Sequence, residues 1–145
     1  MNTKSRYELL LPILRKYLKE TKKDWNYITP TDFYNKYYIK KRSDYVVIDI
    51  RKKKAYEEFH IPKSINIYWL DILKSKNLEL LKKLNQSNKK IFLICYVGHS
   101  SSQTMTLLKL LGIDVVSIKV GYGVSPIKNV PISGWLQCNY PIITL

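Results

Sequence analysis

Two short runs, Tyr45-Val46-Val47-Ile48-Asp49-Ile50 and Ile91-Phe92-Leu93-Ile94-Cys95, constrain the fold more than any other feature of the chain. Both are apolar along nearly their whole length and rich in β-branched residues. A strand covered on one face alternates apolar and polar residues, whereas a strand covered on both faces does not. The runs therefore read as central strands of a sheet buried on both sides. Val115–Val120 is a third candidate strand, and Ile65-Asn66-Ile67-Tyr68 suits a brief fourth. Between them lie a short helix or turn at Lys53–Phe59, a helical stretch at Leu70–Leu84 and another at Ser101–Leu111. Strands separated by helices predict an α/β domain, a parallel sheet with helices on both faces.

Ahead of this block, residues 5–23 read as a helix, because Tyr7, Leu10, Leu11, Leu14, Tyr17 and Leu18 recur at three- and four-residue spacing. Pro12 is awkward inside it and predicts a kink or a later start near Leu11. Such a stripe can lie on a membrane surface, but packing against its own domain is the commoner outcome and is the expectation here. The chain thus divides into an N-terminal helical extension, 1–27, packed on a domain spanning 28–145. Thr29-Pro30-Thr31-Asp32 opens a second helix, with a capping residue ahead of proline, whose apolar side is Phe33, Tyr34 and Tyr37. From Gly121 onward, Gly123, Pro126, Pro131, Gly134 and Pro141 break regular structure. That segment reads as an irregular tail anchored by Trp135 and Leu136.

With 145 residues, 46% of them apolar, the chain can bury one sizeable core. No apolar run approaches the ~20 residues that span a bilayer. Leu9–Leu14, short and broken by Pro12, is not a secretory signal, and two cysteines make no disulfide framework, so the cytoplasm is the expected compartment. The net charge of +14 is uneven: residues 1–94 carry +12 and residues 95–145 carry +2. A basic surface can attract nucleic acid, acidic partners or small anions. No nucleic-acid motif accompanies the charge, and the abundance of Lys, Asn, Ile and Tyr points to compositional bias, so nucleic acid is not the expected partner. Oligomeric state is not legible in the chain.

The candidate chemistry centres on Cys95. It ends a buried strand and is followed by Tyr96-Val97-Gly98-His99-Ser100-Ser101-Ser102 and then a helix. Ligands of α/β proteins bind at the carboxyl ends of strands. A thiol there faces backbone N–H groups and the positive end of a helix dipole, both of which favour the nucleophilic thiolate. Gly98 permits a turn that lets successive N–H groups converge on an anion. Ser100, Ser101 and Ser102 can cap the helix or donate hydroxyl hydrogen bonds.

The ordered motifs resemble the rhodanese (thiosulfate sulfurtransferase) homology domain over roughly residues 28–142. Val46–Arg51 is similar to its apolar strand ending in Asp-x-Arg. Tyr56–Ile67 resembles its Tyr-x-x-Gly-His-Ile-Pro-Gly-Ala-x-Asn-Ile element, and Ile91–Ser101 its strand and Cys-Arg-x-Gly-x-Arg-Ser loop. Leu108–Gly112, Gly121–Gly123, Trp135 and Tyr140-Pro141 resemble its later signatures. The resemblance implies a three-layer rhodanese-like fold with an extra N-terminal helix. It also implies a persulfide on Cys95, formed from a small anionic sulfur donor and passed to a thiol, cyanide or a protein acceptor. The loop N–H groups from Tyr96 to Ser101 would hold the outer sulfur's charge, and no metal or organic cofactor is called for.

The departures from the family pattern bear on that expectation. Tyr96 and Ser100 stand where the loop usually carries arginines that hold an anionic donor. Phe59 and Lys63 occupy frequent glycine positions, Tyr122 splits the Gly pair, and Val124–Ser133 looks like an insertion. His99 either restores positive charge beside the sulfur or faces solvent without a role. Asp49 is expected to fix the loop structurally, and Arg51 either pairs with it or adds positive potential to the pocket. His60 is expected to be structural, and Cys138 an ordinary thiol. Cys95, His99, His60 and Cys138 together make a poor zinc set. Two competing functions remain. One is a cysteine phosphatase, whose loop needs Arg at the position of Ser101. The other is a non-catalytic rhodanese-like binding or regulatory module.

Overall fold

The computed structural model describes residues 3–21, 26–124 and 133–144. Its centre is a five-stranded sheet in the order β1-β6-β5-β2-β4, and every pairing in it is parallel. The strands are β1 (Tyr27–Ile28), β2 (Tyr45–Asp49), β4 (Ile65–Asn66), β5 (Lys90–Ile94) and β6 (Val115–Ile118). The longest runs, β2 and β5, lie side by side at the centre, with Tyr45 opposite Lys90 and Asp49 opposite Ile94. Two residues each from β3 (Phe59–His60) and β7 (Ile143–Thr144) form a separate antiparallel ladder.

Side chains alternate across a strand, so the apolar runs feed two buried layers. On one face Ile48, Ile91 and Leu93 pack with Leu81 of α4 (Ser75–Gln86) and with Met105 and Leu108 of α5 (His99–Leu110). On the other, Val47, Phe92 and Ile94 pack with Phe33 of α2 (Pro30–Phe33), Tyr122 and Trp135. Phe33 meets Phe92 edge-on at 4.9 Å, a geometry that aromatic quadrupoles favour. The α/β reading and the burial of the central strands on both faces hold.

Local signals set several boundaries. Thr29 Oγ1 accepts from Asp32 N at 3.0 Å and Pro30 occupies the first turn. The α2 helix continues as a single π-helical turn, Tyr34–Tyr38. The expected helix at Leu70–Leu84 is two pieces, a 3-10 turn at Trp69–Asp71 and then α4. Lys53–Glu58 forms α3. In the tail, Trp135 is fully buried, with its indole N–H on the Pro141 carbonyl at 2.8 Å, while Leu136 is half-buried. Most of the suspected insertion, Val124–Ser133, lies outside the described residues.

The N-terminal helix α1 runs Arg6–Glu20 without restarting at Leu11, and Pro12 sits inside it. Its start is fixed by a capping box: Ser5 Oγ accepts from Glu8 N at 3.2 Å, and Ser5 N donates to Glu8 Oε2 at 2.8 Å. The helix touches α5 but contributes no buried residue.

Candidate functional site

Because β2 and β5 are in register, Ile50-Arg51 and Cys95-Tyr96 leave the sheet beside each other at its carboxyl edge, where Ile50 N donates to Ile94 O at 3.0 Å. The chain then turns at Gly98 (φ 91°), the left-handed cap of α5. A Cβ there would lie 3.0 Å from Val120 N, so glycine answers both to the conformation and to the space. The turn aims amides back at the sulfur. Cys95 Sγ accepts from Gly98 N at 3.1 Å and from Ser101 N at 3.4 Å.

Ser101 Oγ lies 3.3 Å from Sγ and 2.7 Å from Ser117 Oγ on β6. Each hydroxyl has one proton and two lone pairs. A protonated thiol can donate to Ser101; when the sulfur is an anion, Ser101 can turn its proton to sulfur and accept from Ser117. The pair can therefore follow the charge on Cys95 without losing a partner. The sulfur itself is enclosed: Cys95 is 1% exposed and belongs to the same apolar layer as Ile50, Ile72 and Met105. The N–H groups of Tyr96, Val97, His99 and Ser100 have no acceptor among the described residues, leaving them available to a second anionic atom.

A second strut comes from the 121–123 turn. Tyr122 N donates to Cys95 O at 3.0 Å and Gly123 N to Tyr96 O at 2.9 Å. A Cβ on Gly121 would fall 2.2 Å from Cys95 O, so the approach demands glycine. The Tyr122 side chain turns inward. Its hydroxyl donates to Asp49 Oδ2 at 2.8 Å and accepts from Ile61 N at 3.1 Å. Burial foremost, and then the Asp49 charge, push this phenol well above its ordinary range.

Asp49 and Arg51 form a fully buried ion pair, with Nη2 on Oδ2 at 2.9 Å and Nε on Oδ1 at 3.1 Å. Nη2 also donates to Phe59 O at 2.5 Å. The guanidinium packs against the rings of Tyr122, Phe59 and Tyr96, at 4.1, 4.5 and 5.5 Å. Burial alone would lower its pKa, but the Asp49 hydrogen bonds and charge leave it above the usual arginine value. Asn66 Nδ2 ties this edge together, donating to Asp49 O at 3.0 Å and to Arg51 O at 2.9 Å. His60 stacks on Tyr56, and its Nδ1 lies 2.7 Å from Tyr56 O.

The structure therefore gathers Cys95, Gly98 and Ser101 around one sulfur, while Asp49 and Arg51 support the neighbouring loop. His99 is exposed and lines an open cavity of about 550 Å³ with Val97, Gly98, Gln103 and Lys119. A larger cavity of about 650 Å³ lies along Tyr45–Val47, with Pro62 and Lys63, and none of the loop lines it. Ser117, Tyr122 and Lys119 did not emerge from the sequence as site residues. Ser117 had a signal, being a hydroxyl inside the apolar strand Val115-Val116-Ser117-Ile118. Among the described residues there is no cluster of three or more His, Cys, Asp or Glu suited to a metal, and no helix long and apolar enough to cross a membrane.

Residues 30–123 match the rhodanese-like domain, and the chain belongs to that family. No curated protein matches it. Among solved structures, a rhodanese-related protein from Thermoplasma volcanium is 26% identical, covering 81% of this chain and 96% of its own, with a TM-score of 0.59. A protein of unknown function from Rhodopseudomonas palustris, described as a possible tyrosine phosphatase, is 20% identical over 99% of both chains, TM-score 0.65. The rhodanese-like domain of the Anabaena Alr3790 protein is 15% identical, covering 83% of this chain and 80% of its own, TM-score 0.63. The last two are likenesses of fold alone.

Proposed function

We propose that this rhodanese-like domain is a sulfurtransferase that carries a sulfane sulfur as a persulfide on Cys95. The observation that supports it most is the pair of backbone N–H groups, Gly98 and Ser101, directed at Cys95 Sγ. Amides held in place by a turn need no reorganisation when charge reaches the sulfur. The Cys95 thiolate attacks the outer sulfur of thiosulfate or a related donor. The bond from that sulfur to the rest of the donor breaks, S–S in thiosulfate and C–S in mercaptopyruvate, and sulfite, or the enolate of pyruvate, leaves with the electron pair. The new outer sulfur, as persulfide anion, is offered the unoccupied N–H groups of Tyr96, Val97, His99 and Ser100. A thiolate or cyanide then attacks that sulfur, the Cys95 S–S bond breaks, and the Cys95 thiolate returns.

In this reading Asp49, Arg51 and His60 support the loop without touching the donor. Lys119 is a cation beside the loop cavity that stands in for the absent loop arginines, and His99 lines the same cavity. The test is thiocyanate formation from thiosulfate and cyanide, with mercaptopyruvate as a second donor. Turnover that disappears in Cys95→Ser supports the proposal; no turnover with either donor removes it. The near-complete burial of Cys95 favours a second reading, a non-catalytic rhodanese-like binding module, which predicts that second outcome. A phosphatase reading lacks the bidentate arginine its chemistry needs, because Ser101 stands there.

A further inference from the structure

Helix α1 has an apolar face that its own domain covers only in part, at the half-buried Leu11 and Tyr17. Tyr7 and Leu18 are 71% and 70% exposed, and Leu9, Leu10, Ile13 and Leu14 are exposed as well. At 100° per residue Tyr7, Leu10, Leu14 and Leu18 form one stripe, with Leu9 and Ile13 on its flank. Arg15, Lys16 and Lys19 lie on the opposite side, and Lys4 and Arg6 precede or open the helix; Glu8 and Glu20 are the only acids among residues 3–21. The α5 helix that α1 touches adds exposed Leu107 and Leu111. Apolar residues on one side of a helix with basic residues on the other are the pattern of a helix that lies at an interface.

Charge decides what kind of partner fits. A second copy of the chain would bring together two bodies of +14 each. The stripe is also only about 22 Å long and about 10 Å across, well short of the ~800 Å² per partner of a stable interface. A bilayer bearing anionic headgroups meets both halves of the helix. It accepts the leucines and tyrosine below the headgroups and attracts the lysines and arginines above them.

We propose that α1 is an interfacial helix that places this domain on an anionic lipid surface. This inference is independent of the chemistry at Cys95. The test is flotation of the full chain with vesicles of phosphatidylcholine and phosphatidylglycerol in a three-to-one ratio, against pure phosphatidylcholine. Binding to the mixed vesicles alone is expected, weakening as salt rises from about 0.1 M to about 1 M and the Debye length falls from about 10 to about 3 Å. Leu9→Gln with Ile13→Gln should reduce binding about tenfold or more, and Arg15→Gln with Lys16→Gln on the order of tenfold. These residues are exposed, and circular dichroism checks that the fold is kept. No binding, equal binding to both vesicles, or binding unchanged by Leu9→Gln with Ile13→Gln would overturn the proposal. So would a dimer, seen by sedimentation, that the same pair disperses.

Discussion

Replacing Tyr122 with Phe removes one oxygen and keeps the ring. The ring can still meet Phe59 edge-on at 5.2 Å and lie against the Arg51 guanidinium. What is lost is the hydroxyl that joins Asp49 to Ile61. Ile61 is buried, so its N–H is left without an acceptor, at about 1–3 kcal/mol. Asp49 Oδ2 keeps Arg51 Nη2 but loses a charge-assisted hydrogen bond, about 1.5 kcal/mol more. Phe needs no hydroxyl desolvation, which offsets about 1 kcal/mol. The net loss is about 2–3 kcal/mol, or about 6–9 °C in Tm for a chain of this size. Urea unfolding at neutral pH should show a lower midpoint with an unchanged slope. Tyr140→Phe is the control. Its hydroxyl meets Thr31 Oγ1 at an exposed position, and its loss should cost less than about 0.5 kcal/mol. If Tyr122→Phe costs no more than that control, the buried hydroxyl does not hold the Asp49 edge and the account of the loop's support fails.

The same phenol predicts the alkaline limb of stability. In the unfolded chain Tyr122 loses its proton near pH ~10, while the folded state keeps it. The unfolded form then binds fewer protons, so the urea midpoint should fall as pH rises above that value and fall less steeply in Tyr122→Phe. Burial also raises Tyr38 and Tyr45, so some slope should persist; an identical slope in wild type and variant would contradict the assignment. Gly98→Ala puts a Cβ against Val120 N at a left-handed φ, and should cost about 1–2 kcal/mol. Alanine keeps the N–H that faces Sγ, but relieving the Val120 contact displaces it, so sulfur transfer should drop by up to on the order of 100-fold, the cost of losing one preorganised donor. Wild-type turnover in this variant would contradict the dependence of transfer on the turn's placement of that amide.

The sheet was legible because its central strands are buried on both faces, which writes them as continuous apolar runs at Val46–Ile48 and Ile91–Ile94. Short pairings were not. β1 and the β3–β7 ladder are two residues long, and Phe59 finds Thr144 across 84 intervening positions, which no local pattern records. The cysteine loop could be read from Cys95 to Ser101 because glycine and serine at those spacings have local consequences. Its support could not. Tyr122 looked like an intrusion into a glycine pair, yet it fills the core and anchors Asp49. Arg51 had two readings because burial is a property of the neighbours, here Phe59, Tyr96 and Tyr122. The tail's anchor at Trp135 followed from its size, whereas the Pro141 carbonyl that receives its N–H did not.

The most direct measurement is the intact mass of the full chain after exposure to thiosulfate, mercaptopyruvate and a protein persulfide in turn. The account predicts a gain of one sulfur atom located on Cys95, absent in Cys95→Ser, retained in Cys138→Ser and removed by cyanide. An unchanged mass with every donor, or a sulfur found on Cys138 alone, would contradict it.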